Sequence, residues 1–168
     1  MNAFKAATEI ETIARRELLP WLLKTCQNVE DTGHSEFLQK TCGDWIITKL
    51  SQQYGVELKA EARYTGNLFL ETWSNLPRRT LGWMYTSQAD YLFYFFADTK
   101  ELFVIDFPAL WQWAFGVGEK EGAIYKYAEK TQSKYNQVNF TRGRIVPIND
   151  IEAALKSSVK RLSAADRR

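Results

Sequence analysis

Charged residues interrupt two apolar runs in the segment GDWIITKLSQQYGVELKAE, residues 43–61: Asp44 opens the first run, and Glu57 and Lys59 lie two apart in the second. Side chains of a β-strand alternate between its faces, so Glu57 and Lys59 share one face. Carboxylate oxygens bind hard divalent ions, which commonly keep water and phosphate oxygens in their shell. A nearby ammonium group can orient or deprotonate a bound water, or stabilise charge on phosphorus. These residue types therefore indicate phosphodiester hydrolysis.

Whether the two carboxylates meet depends on the register of the two predicted strands. A turn centred on Leu50-Ser51 places Asp44 opposite Glu57 in an antiparallel pair. A turn centred on Gln52-Gln53 places Asp44 opposite Glu61 instead, and Glu57 is then about 13 Å away. Adjacent carboxylates repel unless a cation lies between them, so only the first register makes a compact site. The alternative interpretation is a half-exposed sheet whose outer face carries ordinary surface charges.

Apolar periodicity predicts the elements that must position these residues. Residues 3 to about 25 carry a helical stripe, which Pro20 is expected to kink or end early. Strands are predicted at 44–50, 55–62 and 67–72, separated by polar or glycine-containing turns. A helix is expected from Ser87 to about Phe96, then a buried strand at 101–107 and a helix from Pro108. The order indicates one mixed α/β domain over residues 1–168.

The other segments carry less regular patterns. We interpret residues 27–34 as a loop, and 35–40 as the only room for a strand before Asp44. Residues 118–136 read as a charged helix or loop, and VNFTRGRIVPI as a hairpin or edge strand. A final helix is expected from Asn149 or Asp150 through Leu162.

Composition restricts the classes of protein. No apolar stretch approaches the roughly 20 residues that span a bilayer, so we expect no membrane contact. Cys26 and Cys42 lack metal-ligand spacing and suit a reducing compartment, which favours the cytoplasm. His34 is the only histidine, which argues against zinc sites and histidine-based triads. Residues 119–168 hold 11 Lys/Arg and 6 Asp/Glu, net +5, against 11 and 14, net −3, in residues 1–118. The basic third permits contact with a polyanion; a solvated charged tail is the alternative.

Asp44, a short hairpin and Glu57-Leu58-Lys59, with a helix upstream and a helix–strand pair downstream, resemble the PD-(D/E)XK (restriction-endonuclease-like) nuclease superfamily over about residues 5–107. The resemblance implies an αβββαβ core with a mixed central sheet flanked by helices, and leaves 118–168 as a basic C-terminal extension. It implies that Asp44 and Glu57 hold Mg²⁺ or Mn²⁺, that Lys59 acts on the attacking water, and that DNA is the substrate.

The resemblance leaves other properties open. Such a small nuclease would suit a phage or mobile element, and a homodimer is one option for its assembly. Some members of the superfamily only bind DNA, so a catalytically inactive nucleic-acid-binding or protein-interaction module on the same fold is the alternative. Gly43 stands where many members have proline.

Many members of this superfamily add a glutamate from the first helix. Glu11 lies on the otherwise apolar stripe, where an inward carboxylate requires a cation or a donor nearby, and it is our choice ahead of Glu17. Residues in turns and loops could contact the DNA backbone. These candidates are Arg63, Thr65, Asn67, Arg78, Arg79 and Gln88. We interpret the tryptophans at 45, 83, 111 and 113 as core residues rather than as surfaces for stacking bases.

Overall fold

The computed structural model of the chain describes residues 3–116, 122–134 and 139–168. Its α-helices are α1 (Ala3–Thr25), α2 (Glu36–Cys42), α3 (Trp83–Thr86), α4 (Phe107–Phe115) and α5 (Ile148–Leu155). Its strands are β1 (Asn28–Asp31), β2 (Trp45–Lys49), β3 (Gln52–Glu61), β4 (Asn67–Asn75), β5 (Thr80–Leu81), β6 (Tyr91–Phe96), β7 (Glu101–Asp106), β8 (Glu129–Lys134), β9 (Asn139–Pro147) and β10 (Val159–Leu162). Short 3₁₀ turns cover Ala123–Lys126, Lys156–Ser158 and Ala165–Arg167.

Two sheets form the framework of the described residues. The larger sheet has the order β1-β2-β3-β6-β7-β10, in which β3 and β6 run parallel and the other neighbours run antiparallel. The smaller sheet has the order β5-β4-β9-β8 and is antiparallel. The protein is thus an α/β fold with a mixed sheet flanked by helices. The segment expected as a C-terminal extension supplies β8 and β9 to the smaller sheet and β10 to the larger one.

The larger sheet buries apolar side chains on both faces. Val56 and Leu58 of β3 pack against Leu18 of α1 on one face. The other face meets the smaller sheet, α4 and α5, through residues such as Leu70 and Ile151. Side chains of β3 alternate, so Glu57 and Lys59 point to the face that carries the smaller sheet.

The helix predicted from Ser87 to Phe96 is wrong, because this segment is the central strand β6. Its sequence YLFYFF is apolar or aromatic at nearly every position, so a helical spacing can be found in it although the run is continuous. Phe93 and Phe95 pack on the α1 side, while Leu92 and Phe96 pack on the opposite side. A strand buried on both faces accounts for the run. The second helix of the αβββαβ order expected from the resemblance is therefore replaced by β6, and β4, predicted as the third strand of that core, belongs to the smaller sheet.

The turn of the β2–β3 hairpin is the one that we required for a compact site. Trp45 pairs with Val56 and Lys49 with Gln52, so the turn is centred on Leu50-Ser51. Both turn residues have left-handed backbones, with φ of 51° and 63°. Positive φ at both central positions is the type I′ geometry, which matches the twist of a two-residue hairpin.

Two further predictions about elements are wrong, and one of the two alternatives for Pro20 is excluded. The loop predicted at 27–34 contains β1, a mostly polar strand at the edge of the sheet whose one apolar residue, Val29, packs against the core. Residues 35–40 begin α2 instead of a strand, because the Ser35 hydroxyl caps that helix by accepting the Leu38 N–H at 3.3 Å. Pro20 does not end α1, which continues to Thr25.

The C-terminal region also differs from the prediction. The last helix ends at Leu155, where Lys156 has a φ of 49°, and β10 follows and pairs with β7. The strand around Arg142-Gly143 is internal, since β8 covers its outer side. Residues 118–136 were predicted as a charged helix or loop; their described part holds a 3₁₀ turn and β8, while 118–121 and 135–136 lie outside the described residues.

Within the described residues, no helix is long and apolar enough to cross a membrane. The longest, α1, carries charged residues along its exposed side, including Glu9 and Arg16.

Candidate functional site

Asp44 is fixed to the backbone of β3. Helix α2 ends at Gly43, whose φ is +84° and where an added Cβ would lie 2.5 Å from the carbonyl oxygen of Val56. The Asp44 N–H donates to that same oxygen at 2.7 Å. The Leu58 N–H donates to Oδ2 of Asp44 at 2.7 Å. Glycine allows this close approach, and it brings the Asp44 carboxylate to the backbone between the two charged residues of β3.

Glu57 and Lys59 form an ion pair on the face of β3 that meets the smaller sheet. Lys59 Nζ lies 2.6 Å from Glu57 Oε1, and the ammonium stands 5.8 Å from the centre of the Trp83 ring. The Ser87 hydroxyl donates to Glu57 Oε2 at 2.9 Å. The Glu57 side chain is 10% exposed and the Lys59 side chain 32%. Lys59 can therefore meet a ligand from solvent, while Glu57 is held by Lys59 and Ser87.

The charged groups of the site shift the pKa values of Asp44 and Lys59. Burial raises the pKa of Asp44, and Glu57 adds to this rise, although Lys59, the Leu58 N–H and Arg15 act against it. For Lys59, burial opposes the charge, but the carboxylates of Glu57 and Asp44 raise its pKa above the ordinary value, with help from Glu71 on β4. The predicted trio thus lies within electrostatic range of one another.

Arg15 of α1 links the helix to this cluster, and the sequence analysis missed it. Its guanidinium donates to Asp44 Oδ1 at 3.0 Å and to Asp31 Oδ2 at 2.6 Å. It also donates to Glu11 Oε1 at 3.1 and 3.3 Å, and it covers the Trp45 ring at 5.3 Å. The available signal was the spacing of four between Glu11 and Arg15 on one helix.

The predicted residue Glu11 reaches the site only through Arg15. Its side chain is about half exposed, and its described ion pair is with that arginine. From its place on the apolar stripe, the Glu11 carboxylate was expected to have a cation or a donor nearby. The cation beside it is the guanidinium of Arg15, on the same helix.

Asp44 and Glu57 are the side chains that could hold a metal. Among the described residues no group of three or more His, Cys, Asp or Glu has the arrangement of a metal site. Mg²⁺, however, is often bound by one or two carboxylates, with water and substrate phosphate completing its shell. Each carboxylate oxygen of the pair accepts one hydrogen bond or ion pair and has a second lone pair, so this oxygen-only donor set fits Mg²⁺ or Mn²⁺.

An open groove of about 600 Å³ adjoins the site. Ser87 belongs to both, because it lines the groove and donates to Glu57. Trp83, which carries the Lys59 ammonium on its ring, lies 6.0 Å from the Phe107 ring. The main lining residues are Ser87, Gln88, Asp106, Phe107, Trp111 and Gln112.

The predicted nucleic-acid contacts fall in several places. Gln88 is exposed and lines the groove beside Ser87. Thr65 and Asn67 line a smaller cavity of about 190 Å³ together with Glu61 and Lys130. Arg63, Arg78 and Arg79 are exposed, the first after β3 and the other two in the loop between β4 and β5.

Glu61, the ligand expected from the alternative register, has another partner. The Tyr94 hydroxyl donates to its carboxylate and accepts the Phe69 N–H at 3.0 Å. Burial raises the pKa of Glu61, and burial together with Glu61 raises the pKa of Tyr94 well above its ordinary value. Glu61 therefore connects the two sheets and lies apart from the carboxylate pair.

The tryptophans divide into two groups. Trp45 and Trp83 are buried, as predicted, and Trp113 packs against the core. Trp111 is 41% exposed, so its interpretation as a core residue is wrong. It lies on α4 at the edge of the buried stripe formed by Phe107, Leu110 and Ala114.

No protein-family model, curated protein or solved structure matches the chain. The geometry of Asp44, Glu57 and Lys59 is therefore the basis on which a function is proposed.

Proposed function

We propose that the protein is a metal-dependent nuclease of the PD-(D/E)XK type that hydrolyses DNA phosphodiester bonds. The observation that carries this proposal is the register of the β2–β3 hairpin. Trp45 pairs with Val56, the Asp44 carboxylate just before β2 accepts the Leu58 N–H at 2.7 Å, and Lys59 contacts Glu57 at 2.6 Å. Two acids and one amine of the required types thus lie together on neighbouring strands, beside an open groove.

Asp44 and Glu57 would hold the metal. When bound, Mg²⁺ supplies Lewis-acid polarisation of the phosphate and lowers the pKa of a water. Lys59 donates hydrogen bonds, since its ammonium is paired with a carboxylate, and it is exposed enough to reach a phosphate oxygen or the attacking water. We therefore assign Lys59 to positioning the water and stabilising negative charge, rather than to accepting a proton.

Ser87 and Arg15 act as positioning residues. The Ser87 hydroxyl holds Glu57 Oε2, and the Arg15 guanidinium holds Asp44 Oδ1. Each fixes one carboxylate through the oxygen that it contacts. Pre-organised ligands reduce the rearrangement needed when metal and substrate bind.

DNA is the favoured substrate because the protein exposes basic residues that can contact phosphates. Arg63, Arg78 and Arg79 are exposed, and residues 119–168 have a net charge of +5. Arginines contact phosphates without reading sequence, so they would place the backbone rather than select a site.

One observation favours a second function, an inactive nucleic-acid-binding module on this fold. Each oxygen of the Asp44 and Glu57 carboxylates already accepts a bond, from Arg15, Leu58, Lys59 or Ser87. Such internal pairing would also be expected of a site that has lost its metal and keeps its charges balanced.

Cleavage assays separate the two functions. Linear, circular and branched DNA would be incubated with the protein and Mg²⁺ or Mn²⁺, and in parallel with a chelator. We expect cleavage only with metal, and a loss of about 10²–10³-fold in rate for Lys59→Ala, the scale reported for removing one charge-stabilising donor. Lys49→Ala is the matched control, because Lys49 is exposed at the far end of β2.

The outcomes are distinct. Cleavage that persists with chelator, or in Lys59→Ala protein of unchanged melting temperature, contradicts the nuclease mechanism. Binding of DNA without cleavage under any metal condition supports the inactive module.

A further inference from the structure

The groove beside the site has an exposed aromatic wall. Trp111 is 41% exposed and lies 5.3 Å from the ring centre of Phe115. Tyr85 stacks on Phe115 at 4.6 Å with an interplanar angle of 24°, which holds that wall from behind. A supported indole at the surface offers a flat face to a ring of similar size.

The polar groups of the groove are acceptors and amides. Asp106 caps α4, with its Oδ1 accepting the Ala109 N–H at 2.9 Å, and a carboxylate has further acceptor capacity. Gln88 and Gln112 add amide groups that donate and accept. Uncharged planar molecules with N–H groups on their edges match these partners.

The charge of the groove argues against a phosphate as its occupant. Its described lining contains the Asp106 carboxylate and no lysine or arginine. A phosphate would be repelled by the carboxylate, whereas a nucleobase is neutral and carries amine and imide donors. A volume of about 600 Å³ lies within the range of roughly 300–1,000 Å³ typical of small-ligand pockets.

The groove adjoins the carboxylate pair through Ser87. Ser87 lines one and bonds to the other, and Trp83 lies between the Lys59 ammonium and the Phe107 ring. A nucleotide whose phosphate is next to Lys59 would therefore have its base, or that of its neighbour, at the mouth of the groove.

We infer that this groove binds an unpaired nucleobase of the DNA, stacked on Trp111 and hydrogen-bonded by Asp106 and the amides. The inference rests on the proposed function and names its substrate class: DNA with single-stranded or unpaired nucleotides next to the scissile bond, in preference to uninterrupted duplex. A base inside a duplex is already stacked and paired, and extracting it costs a few kcal/mol.

Binding in the absence of metal tests the inference separately from cleavage. Fluorescence anisotropy with chelator present would compare a labelled single strand with the duplex of the same sequence. We expect the single strand to bind more tightly than the duplex, and Trp111→Ala to weaken single-strand binding about ten-fold, as expected for loss of one stacked base. Trp111→Phe should retain most of the affinity, because it keeps an aromatic face.

The binding test includes a control variant and a check of the fold of every variant. Phe37→Ala removes an aromatic side chain that is 73% exposed on α2 and does not line the groove, so it should leave binding unchanged. Melting temperature and solution mass would be measured for every variant. The recovery in Trp111→Phe distinguishes lost stacking from a damaged fold.

Three results would overturn the inference. The first is equal affinity of Trp111→Ala and Trp111→Phe for the single strand. The second is a wild-type protein that prefers the intact duplex. The third is a Trp111→Ala variant that changes from dimer to monomer with its DNA affinity unchanged, which would mean that a second copy of the chain covers the groove. If the protein cleaves DNA with metal but gives any of these results, the nuclease proposal stands and the inference about the groove fails. If binding depends on Trp111 but no cleavage occurs, base binding in the groove is supported and the nuclease proposal is not.

Discussion

At the scale of single residues, Arg15 is the side chain on which the charge balance of the site depends. It donates to Glu11, Asp31 and Asp44, three carboxylates contributed by α1, β1 and the start of β2. Without a cation between them, these carboxylates would repel one another. Lys59 serves Glu57 in the same way.

Replacing Arg15 by alanine should destabilise the protein by roughly 1–3 kcal/mol, because the half-buried Asp44 would lose the hydrogen bond to Oδ1 and one of the two nearby cations. Arg16→Ala is the matched control, since Arg16 is the next residue of α1 and is exposed. Urea unfolding of both variants measures the difference. Equal stability of the two would show that the three ion pairs of Arg15 contribute nothing to folding.

Gly43 and Gly66 offer a second comparison at this scale. Both have left-handed backbones, with φ of +84° and +72°, but a Cβ at Gly43 meets the Val56 carbonyl oxygen at 2.5 Å, while a Cβ at Gly66 meets nothing within 4 Å. Gly66→Ala should cost about 1 kcal/mol for its backbone alone. Gly43→Ala should cost about 1–3 kcal/mol more, because the overlap forces the backbone apart. Chemical denaturation of the pair tests this; a smaller loss for Gly43→Ala would contradict the close packing of Asp44 on β3.

At the scale of elements, the hairpin of β2 and β3 creates the site and β6 supports it. The two-residue turn fixes which residues are opposed, and a shift by one residue would move Glu57 to the other face. Parallel pairing of β6 with β3, Glu57 beside Leu92 and Lys59 beside Tyr94, holds β3 along its other edge. The site therefore lies on a strand that is paired on both sides.

The hairpin turn can be made more stable by residues that favour its left-handed backbone. Leu50 is 85% exposed and, with Ser51, occupies the left-handed conformation that Asn-Gly prefers. Replacing the two residues by Asn-Gly should stabilise the protein by about 0.5–1 kcal/mol, with little effect on the register or on cleavage. The same pair at Gln52-Gln53, inside β3, should destabilise it. Thermal unfolding distinguishes the two variants, and a lower melting temperature for Asn-Gly at 50–51 would contradict the turn geometry.

At the scale of the whole molecule, two sheets enclose a polar contact within the core. Glu61 of β3 accepts the Tyr94 hydroxyl, and Tyr94 in turn accepts the Phe69 N–H of β4. Phe69 belongs to the smaller sheet, so the bond connects the two layers. Burial raises the pKa of Glu61, which Tyr94 and Lys130 oppose.

The raised pKa of Glu61 predicts a pH dependence of stability. As pH rises from about 4.5, the unfolded chain loses its Glu61 proton before the folded chain does, so folding loses stability until the folded pKa is passed. Relative to Glu61→Gln, the wild type should become less stable across this range, by about 1.4 kcal/mol for each unit of pKa difference. Urea unfolding at several pH values between 4 and 8 measures the trend.

Glu36 supplies a control of opposite sign. Its hydrogen bond to Lys40 lowers the pKa of this exposed carboxylate, so the wild type should gain stability over Glu36→Gln as pH rises toward about 4.5 and no more above it; this pair is therefore measured from pH 3 upward. If the free energies of unfolding of wild type and Glu61→Gln differ by the same amount at every pH, the burial of Glu61 is contradicted.

The sequence by itself determined the residue types of the site and the local elements that carry them. Alternation places Glu57 and Lys59 on one face of β3, and Ala14 and Leu18 of the apolar stripe of α1 are buried as expected. These features depend on neighbours within a few positions. Of the two registers that the sequence allowed, the structure adopts the one centred on Leu50-Ser51.

Only the tertiary structure decided which distant residues meet. Arg15 reaches Asp44 across 29 positions and Ser87 reaches Glu57 across 30, and neither separation leaves a local pattern. The segment YLFYFF became a strand because apolar layers cover both of its faces, although its apolar spacing also suits a helix. Burial on two faces is a property of the assembled sheets, and no window of the sequence contains it.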